Sequence, residues 1–138
     1  MTDIALSHYS DHRDQHFSGL LTISDWYALF PEEPGYPVTV HKWPANFPNA
    51  GKPGVYLIFD MSKRLLYIGM TTVDVNRRLG SYFGYVSGRG SGCKIKNMQP
   101  PWKARPALVR TIAVNNPQEA PILERFLIET LKPRENSK

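Results

Sequence analysis

The stretch that decides the fold is residues 54–71, GVYLIFDMSKRLLYIGMT. Its halves, GVYLIFD and RLLYIG, are rich in β-branched and aromatic residues, and the polar MSKR between them suits a turn. The pattern predicts a β-hairpin. Tyr56 and Tyr67 would then lie on paired strands and point to one face. These two tyrosines are either ordinary strand residues or two parts of one functional site.

The chain after the hairpin alternates helical and strand patterns. The spacing of Val75, Leu79 and Tyr82 or Phe83 predicts a helix that begins at Asp74 or Thr72. Residues 84–106 are rich in Gly, Ser and Pro and read as a long loop, and long loops in compact domains are usually functional or disordered. Residues 107–114, ALVRTIAV, predict a third strand.

A second helix is predicted after Asn116. Asn116 can cap it, Pro117 suits its first position, and Glu119 stands where a capping box places an acid. Pro121 would cost about 3 kcal/mol in a second turn unless the helix begins there. Pro133 ends the helix. The predicted buried stripe is Leu123, Phe126, Leu127, Thr130 and Leu131.

The chain before the hairpin carries weaker signals. Residues 1–17 are polar and are expected to be loosely held. Residues 22–30 predict a short helix capped by Ser24 or Asp25, residues 38–43 a short strand, and residues 44–53 a loop. The predicted fold is α+β (an α/β sandwich), a small three-stranded antiparallel sheet flanked by helices over residues 54–138. Residues 1–53 form an N-terminal extension packing on or beside it.

The length and composition of the chain indicate a single domain without disulfides or membrane spans. A chain of 138 residues with 41% apolar residues suits one domain with one core. The single cysteine, Cys93, excludes an internal disulfide and fits a reducing setting. Neither a signal-peptide pattern nor an apolar run of about 18 residues is present, so we expect a cytoplasmic protein without a membrane partner.

The clustering of positive charge in the middle of the sequence predicts that the protein binds a polyanion. Residues 75–118 contain no Asp or Glu, so they hold a charge of +8 in a chain of net charge +5. A one-sided basic block suits a nucleic-acid backbone, although a solvated face is the alternative. Its cations are Arg77, Arg78, Arg89, Lys94, Lys96, Lys103, Arg105 and Arg110.

The order of these motifs resembles the GIY-YIG endonuclease family. Gly54-Val55-Tyr56 stands at its first triplet, Tyr67-Ile68-Gly69 at its second, and Thr71 follows as in many relatives. Arg78 and Tyr82 match the arginine and the Tyr or His of the family's helix. The last motif, LERFLIETLKPREN, contributes Glu124 and Asn136, with a spacing similar to the nuclease domain of the bacterial excision-repair incision subunit.

The resemblance implies a catalytic set for phosphodiester hydrolysis in DNA. Glu124 would hold one Mg²⁺, with Mn²⁺ as a substitute, because Mg²⁺ tolerates a single carboxylate and keeps several waters. Arg78 would contact the scissile phosphate. Either tyrosine could activate water; Tyr67 is favoured, with Tyr56 hydrogen-bonded nearby. A free tyrosine titrates near pH 10, so this role needs positive charge nearby. Tyr82 would complete the phosphate cradle, and Asn136 would tie down the chain end.

Two departures from the family pattern leave alternatives open. Met70 replaces a lysine that many relatives carry, which is the sequence support for a non-catalytic nucleic-acid-binding module on the same fold. Lys94 or Lys96 could replace that lysine. The helix begins one residue later than in the repair relatives, so Arg77 rivals Arg78. The nucleic-acid-binding set is Arg77, Arg89, Lys94, Lys96, Lys103 and Arg105.

Other residues admit functional and structural interpretations. His8, His12 and His16 have the spacing of one helix face and could bind zinc, but a solvated tail is favoured. Cys93 has no histidine nearby in sequence. Trp102 and Tyr85 could stack on unpaired bases or pack in the protein. DNA, double-stranded or branched, is the expected partner. Specificity would come from residues 1–50, the loop, DNA shape or a partner protein, and a double-strand break would need a homodimer or two visits. An interaction domain that binds an acidic protein is the third possibility.

Overall fold

The computed structural model describes residues 2–12, 21–31, 33–42, 49, 51–75, 77–79, 104–133 and 136. The helices are α1 (Thr2–His12) and α2 (Glu119–Leu131). Residues 75 and 77–79 are also helical. The strands are β1 (Thr22–Ile23), β2 (Tyr27–Ala28), β3 (His41–Lys42), β4 (Gly54–Phe59), β5 (Leu65–Thr71) and β6 (Leu108–Ala113).

One mixed sheet organises the fold, with the order β3-β2-β6-β4-β5 and β1 paired to β6. The predicted hairpin is present, because β4 pairs antiparallel with β5 and places Tyr56 opposite Gly69. Strand β6 joins β4 on the other side and places Thr111 opposite Tyr56. The α+β class is confirmed. The sheet is wider than three strands because the N-terminal extension adds β1, β2 and β3.

Both faces of the sheet are covered, which explains why every residue of β4 is buried. Val55, Leu57 and Phe59 face the core formed with α1 and α2. Tyr56 and Ile58 face a second core that includes Val75, Leu79, Tyr27 and Val109. Alternation along β4 therefore places the tyrosine of the first triplet on the face opposite α2.

The predicted helix over residues 22–30 is wrong. The segment instead pairs with β6 twice, as β1 at Ile23–Ile112 and as β2 at Tyr27–Val109. Four residue steps on the segment match three on β6, so the pairing contains a one-residue bulge. The proposed N-cap Ser24 fills this bulge, since its backbone N–H donates to Thr111 O and its Oγ accepts from Thr111 N.

The prediction of a loosely held N-terminus is also wrong for the described residues 2–12. They form α1, which buries Ala5, Leu6 and Tyr9 in the core shared with α2. The Tyr9 hydroxyl donates to a carboxylate oxygen of Glu119 at 2.7 Å, and Glu119 is fully buried. Three of the side chains described in this helix face the core, and so few apolar positions do not mark a helix in the sequence.

Helix α2 forms where the sequence predicts it, but its predicted start is wrong by two residues: it begins at Glu119, with Gln118 as the N-cap and no side-chain capping bond. Asn116 Oδ1 accepts from Gln118 N at 2.9 Å in the turn before the helix. Pro121 falls in the first turn, where a backbone N–H has no helical partner to lose. The helix ends at Lys132, in the left-handed conformation before Pro133. Thr130 is exposed, so it does not belong to the buried stripe.

The hairpin turn is held by Asp60. Its Oδ1 accepts hydrogen bonds from the backbone N–H groups of Ser62 and Arg64, both at 2.9 Å. Lys63 adopts a positive φ of 66° within this turn. Among the described residues there is no helix with the length and apolar character that a bilayer crossing requires.

Candidate active site

Two tyrosines of the hairpin form the centre of the candidate site. As the sequence predicts, Tyr56 and Tyr67 lie on the same face of the sheet. Their ring centroids are 6.4 Å apart with an interplanar angle of 33°. Tyr56 is 1% exposed and Tyr67 is partly exposed, so the two phenols differ in access to water.

The glycine of the second triplet makes room for the ring of Tyr56. A Cβ at Gly69 would overlap Cζ, Cε2 and the hydroxyl oxygen of Tyr56. Gly54 has a similar constraint on the backbone, because a Cβ there would overlap the carbonyl of Ile112 on β6. Each triplet glycine thus serves close packing across a strand pair.

A buried polar network supports Tyr56 from its other side. Thr111, the β6 partner of Tyr56, is fully buried, and its Oγ1 accepts from Asn49 Nδ2 at 2.9 Å. The same amide donates to Thr111 O and Thr22 O, both at 3.3 Å. Sequence reasoning missed Asn49, which lies in a Pro-rich loop where its polarity suggested only exposure.

The helical segment after β5 carries the candidate arginines. Asp74 begins it, as predicted: its carbonyl accepts from Arg78 N at 3.1 Å, and its Oδ1 accepts from Gly51 N at 2.7 Å. Val75 and Leu79 are buried on the tyrosine face, and Arg77 and Arg78 are exposed. Both arginines line an open cleft with Thr71, Val73 and Asp74, so the structure brings both to the site side of the sheet.

Glu124 lies on the opposite layer, in α2. This helix packs on β5 and β4, and its Phe126 contacts Tyr9 of α1 at a ring-centroid distance of 5.2 Å. In a helix of 3.6 residues per turn, Glu124 and Phe126 are about 160° apart. Because α1 covers the Phe126 flank, the Glu124 flank of α2 faces away from α1.

The side chain of Glu124 is only partly accessible to solvent. The side chain is half-buried, and burial raises the pKa of its carboxyl above the ordinary value. It lines a shallow cleft with Arg125, Ile128 and Glu129, separate from the arginine cleft. Within the described ranges, no group of three His, Cys, Asp or Glu residues is arranged to hold a metal ion. A carboxylate on this flank supplies one hard oxygen ligand, which fits Mg²⁺ better than zinc.

Asn136 closes the exposed edge of β5 beside the tyrosines. Its Oδ1 accepts from Ile68 N at 2.7 Å, and its Nδ2 donates to Ile68 O at 2.9 Å. At Ile68, between Tyr67 and Gly69, the Asn136 amide therefore makes the two backbone hydrogen bonds that a neighbouring strand would make. This geometry matches the predicted tying of the chain end.

Two further residues named in the sequence analysis, Met70 and Arg105, lie in the described part of the chain. Met70 packs partly buried against the core under α1 and α2. The Arg105 guanidinium forms two hydrogen bonds with Glu33, at 2.6 and 2.7 Å, so its charge is offset. Outside the described residues lie His16, Tyr82, Tyr85, Arg89, Cys93, Lys94, Lys96, Trp102 and Lys103.

The chain is similar to known proteins over about two thirds of its length. The model of the family described as the UvrC-like GIY-YIG domain matches residues 52–137. UvrABC system protein C of Helicobacter pylori (strain G27) is 36% identical over 92 residues, which cover 66% of this chain and 15% of that protein. The Pseudomonas fluorescens (strain SBW25) protein of the same name is 40% identical over 87 residues, covering 63% and 13%.

A solved structure shows a partial likeness. It is a point mutant of the GIY-YIG N-terminal endonuclease domain of UvrC from Thermotoga maritima, bound to its catalytic divalent cation. The match has 26% identity and a TM-score of 0.44, over 66% of this chain and 89% of that one. The chain spans about 15% or less of the curated relatives named above. On the match over residues 52–137, the chain belongs to the UvrC-like GIY-YIG domain family.

Proposed function

We propose that this protein is a metal-dependent DNA endonuclease that hydrolyses a phosphodiester bond. The observation that carries the proposal is the placement of Tyr56 and Tyr67 on one face, next to the helical segment with Arg77 and Arg78. Family membership supports the nuclease class. The basic block of residues 75–118 supports a nucleic-acid substrate.

The difference in exposure assigns separate roles to the two phenols. Tyr67 is partly exposed, so it can hydrogen-bond an attacking water and, once its own hydroxyl is deprotonated, accept a proton from that water. Tyr56 is buried between Gly69 and Thr111, so its role is to hold the geometry around Tyr67. Arg78 presents a planar fork of donors to the scissile phosphate, and Arg77 contacts a neighbouring phosphate.

Glu124 is the residue that would hold the ion. A half-buried carboxylate whose ionised form is disfavoured by desolvation gains from a cation partner, which supports this assignment. When bound, Mg²⁺ or Mn²⁺ supplies charge stabilisation for the phosphate and the leaving oxygen. Tyr82 contributes to the phosphate cradle, and Lys94, Lys96, Arg89 and Lys103 extend the contact with DNA.

A second candidate function is a non-catalytic DNA-binding module. Met70 favours it, because this side chain packs into the core where relatives carry a lysine. Partner proteins, or a second copy of the chain, belong to both proposals. The named relatives are components of a UvrABC system, and phosphate contacts alone carry no sequence information.

Plasmid cleavage separates these functions. Supercoiled plasmid is incubated with Mg²⁺ and the wild type, Glu124→Ala or Glu129→Ala, the last removing an exposed charge from the same helix. Metal-dependent nicking that is lost only in Glu124→Ala supports the enzyme. Salt-sensitive DNA binding without nicking selects the module. No DNA binding at low salt selects an interaction domain. Cleavage mapping on branched and linear DNA then defines the substrate.

A further inference from the structure

Another cavity lies on the face of the sheet opposite the tyrosines. Trp26, Leu65 and Leu131 border it and pack against the core under α1 and α2, together with Phe59. Its volume is about 390 Å³. We name it the Trp26 pocket; its polar lining is Asp3, Lys63, Arg64 and Arg110.

Three cations surround this pocket. Lys63 Nζ lies 4.8 Å and Arg110 Cζ 5.0 Å from the centre of the Trp26 ring. Arg64 follows Lys63 in the hairpin turn, whose geometry is fixed by Asp60. The cations thus come from two separate elements, the turn and β6, and the indole holds two of them close together.

The positive charge of the pocket is incompletely neutralised. In the part of the chain that the structure describes, Asp3 is the one carboxylate within 4 Å of these three side chains. It is 3.8 Å from Arg110 and 74% exposed. The Arg110 side chain is only 13% exposed, and its Nε donates to Ser24 O at 3.0 Å. A largely buried guanidinium with a weak counter-ion favours an anionic ligand.

The shape and surroundings of the pocket favour a peptide over DNA. Its walls combine aromatic rings and leucines with cations at the edge, so an apolar side chain next to a carboxylate is complementary to it. A DNA strand needs an extended basic track. The exposed residues of α2 and of its C-cap instead mix Arg125 and Lys132 with Glu129.

We propose that the Trp26 pocket binds a short acidic peptide segment of a partner protein. An apolar side chain of the segment packs on Trp26 and Leu131, and adjacent carboxylates pair with Lys63, Arg64 and Arg110. Because Tyr56 and Tyr67 lie on the other face, the peptide and DNA can bind together. This inference does not depend on catalysis.

The probe is an array of short peptides in which one Leu, Phe, Trp, Tyr or Met is flanked by Asp and Glu. A matched array carries Asn and Gln instead of the acids. The full chain is applied to both, and fluorescence anisotropy measures the affinity of the best acidic peptide and of a single-stranded thymidine oligonucleotide.

The test variant is the double substitution Lys63→Asn with Arg64→Gln, since asparagine tolerates a positive φ. Its control, Lys42→Asn with Arg125→Gln, removes two exposed cations elsewhere. We expect acidic peptides alone to bind, about tenfold weaker in the test variant and unchanged in the control. Absence of acidic-peptide binding, equal binding by the amide array, or unchanged affinity in the test variant would overturn the proposal. So would oligonucleotide binding that the test variant loses.

Discussion

The phenol ring of Tyr56 lies directly over the α-carbon of Gly69, its partner across β4 and β5, and leaves no space for a Cβ. The tyrosine of the first triplet can therefore pack only because the second triplet has a glycine at this position. Tyr56 is 1% exposed and is flanked by Thr111 on β6, so its ring has nowhere to move without displacing buried neighbours.

Gly69→Ala should therefore disturb both the fold and the site. We expect the free energy of unfolding to fall by about 1–3 kcal/mol, as for other overpacked cores, and plasmid nicking to fall with it. Ile68→Val is the control, because it costs about 0.5–1.5 kcal/mol on the opposite face and leaves the tyrosines in place. Urea denaturation and nicking assays measure both. If Gly69→Ala nicks at the wild-type rate, Tyr56 is not a positioning residue.

The two arginines of the helical segment should differ in function although both are exposed in one cleft. We expect Arg78→Ala to lower cleavage more than tenfold without changing the thermal midpoint, because it would remove the donors to the scissile phosphate. Arg78→Lys keeps the charge but loses the planar fork, so it should recover little activity. Arg77→Ala should mainly weaken DNA binding. Normal cleavage by Arg78→Ala with an inactive Arg77→Ala would reverse these roles.

The sequence predicts the elements whose signals are local. The hairpin is marked by two apolar runs and a polar turn, and α2 by Asn116, Pro117 and Pro133. Both elements form there, although α2 begins at Glu119, two residues after Pro117. Motif spacing likewise predicts that Tyr56 and Tyr67 share a face. These features depend on periodicity and capping, which a single sequence contains.

The elements that the sequence did not predict depend on distant partners. Strands β1 and β2 have two residues each and exist because β6 pairs with both around the Ser24 bulge. The strand periodicity of residues 22–30 is broken at that bulge, so the segment resembled a capped helix. The ion pair of Arg105 with Glu33 joins residues 72 positions apart and is not visible in any local pattern.

That ion pair predicts a gain of DNA affinity in a variant. The Arg105 and Glu33 side chains are 53% and 35% exposed, so the pair is accessible to solvent and is worth little for stability. Glu33→Gln frees Arg105, a cation of the basic block, and we expect DNA to bind a few-fold tighter, with a salt slope steeper by about 1. Fluorescence anisotropy at several salt concentrations measures this. Asp25→Asn removes another exposed carboxylate as the control; an equal gain there would show a non-specific charge effect.

The amide of Asn136 should matter for both of its hydrogen bonds. Asn136→Ala leaves the N–H and C=O of Ile68 without this partner at the edge of β5, and we expect unfolding free energy to fall by about 1–3 kcal/mol. Asn136→Asp keeps the acceptor for Ile68 N but places a carboxylate oxygen against Ile68 O, so it should be no better than Ala. Denaturation curves and nicking rates are compared at equal fraction folded. Wild-type stability in both variants would contradict the clamp.

Glu124 should make stability and cleavage depend on pH in opposite directions. Burial raises the pKa of its carboxyl, so the folded protein binds the proton more tightly than the unfolded chain does. The stabilising contribution of the protonated form is complete below the ordinary pKa of glutamate, about 4.3, and is lost as pH rises through the folded value. Glu124→Gln should therefore be more stable than the wild type at neutral pH, and the difference should close on acidification.

Cleavage has the reverse dependence, because a metal ion binds the ionised carboxylate. Nicking should rise with pH as Glu124 ionises, and a higher Mg²⁺ concentration should move this rise to lower pH. Glu129→Gln, exposed on the same helix, is the control and should change neither stability nor nicking. If the pH at which nicking rises does not change with the Mg²⁺ concentration, a group other than Glu124 governs that rise. Glu124 would then lose its assignment as the metal ligand.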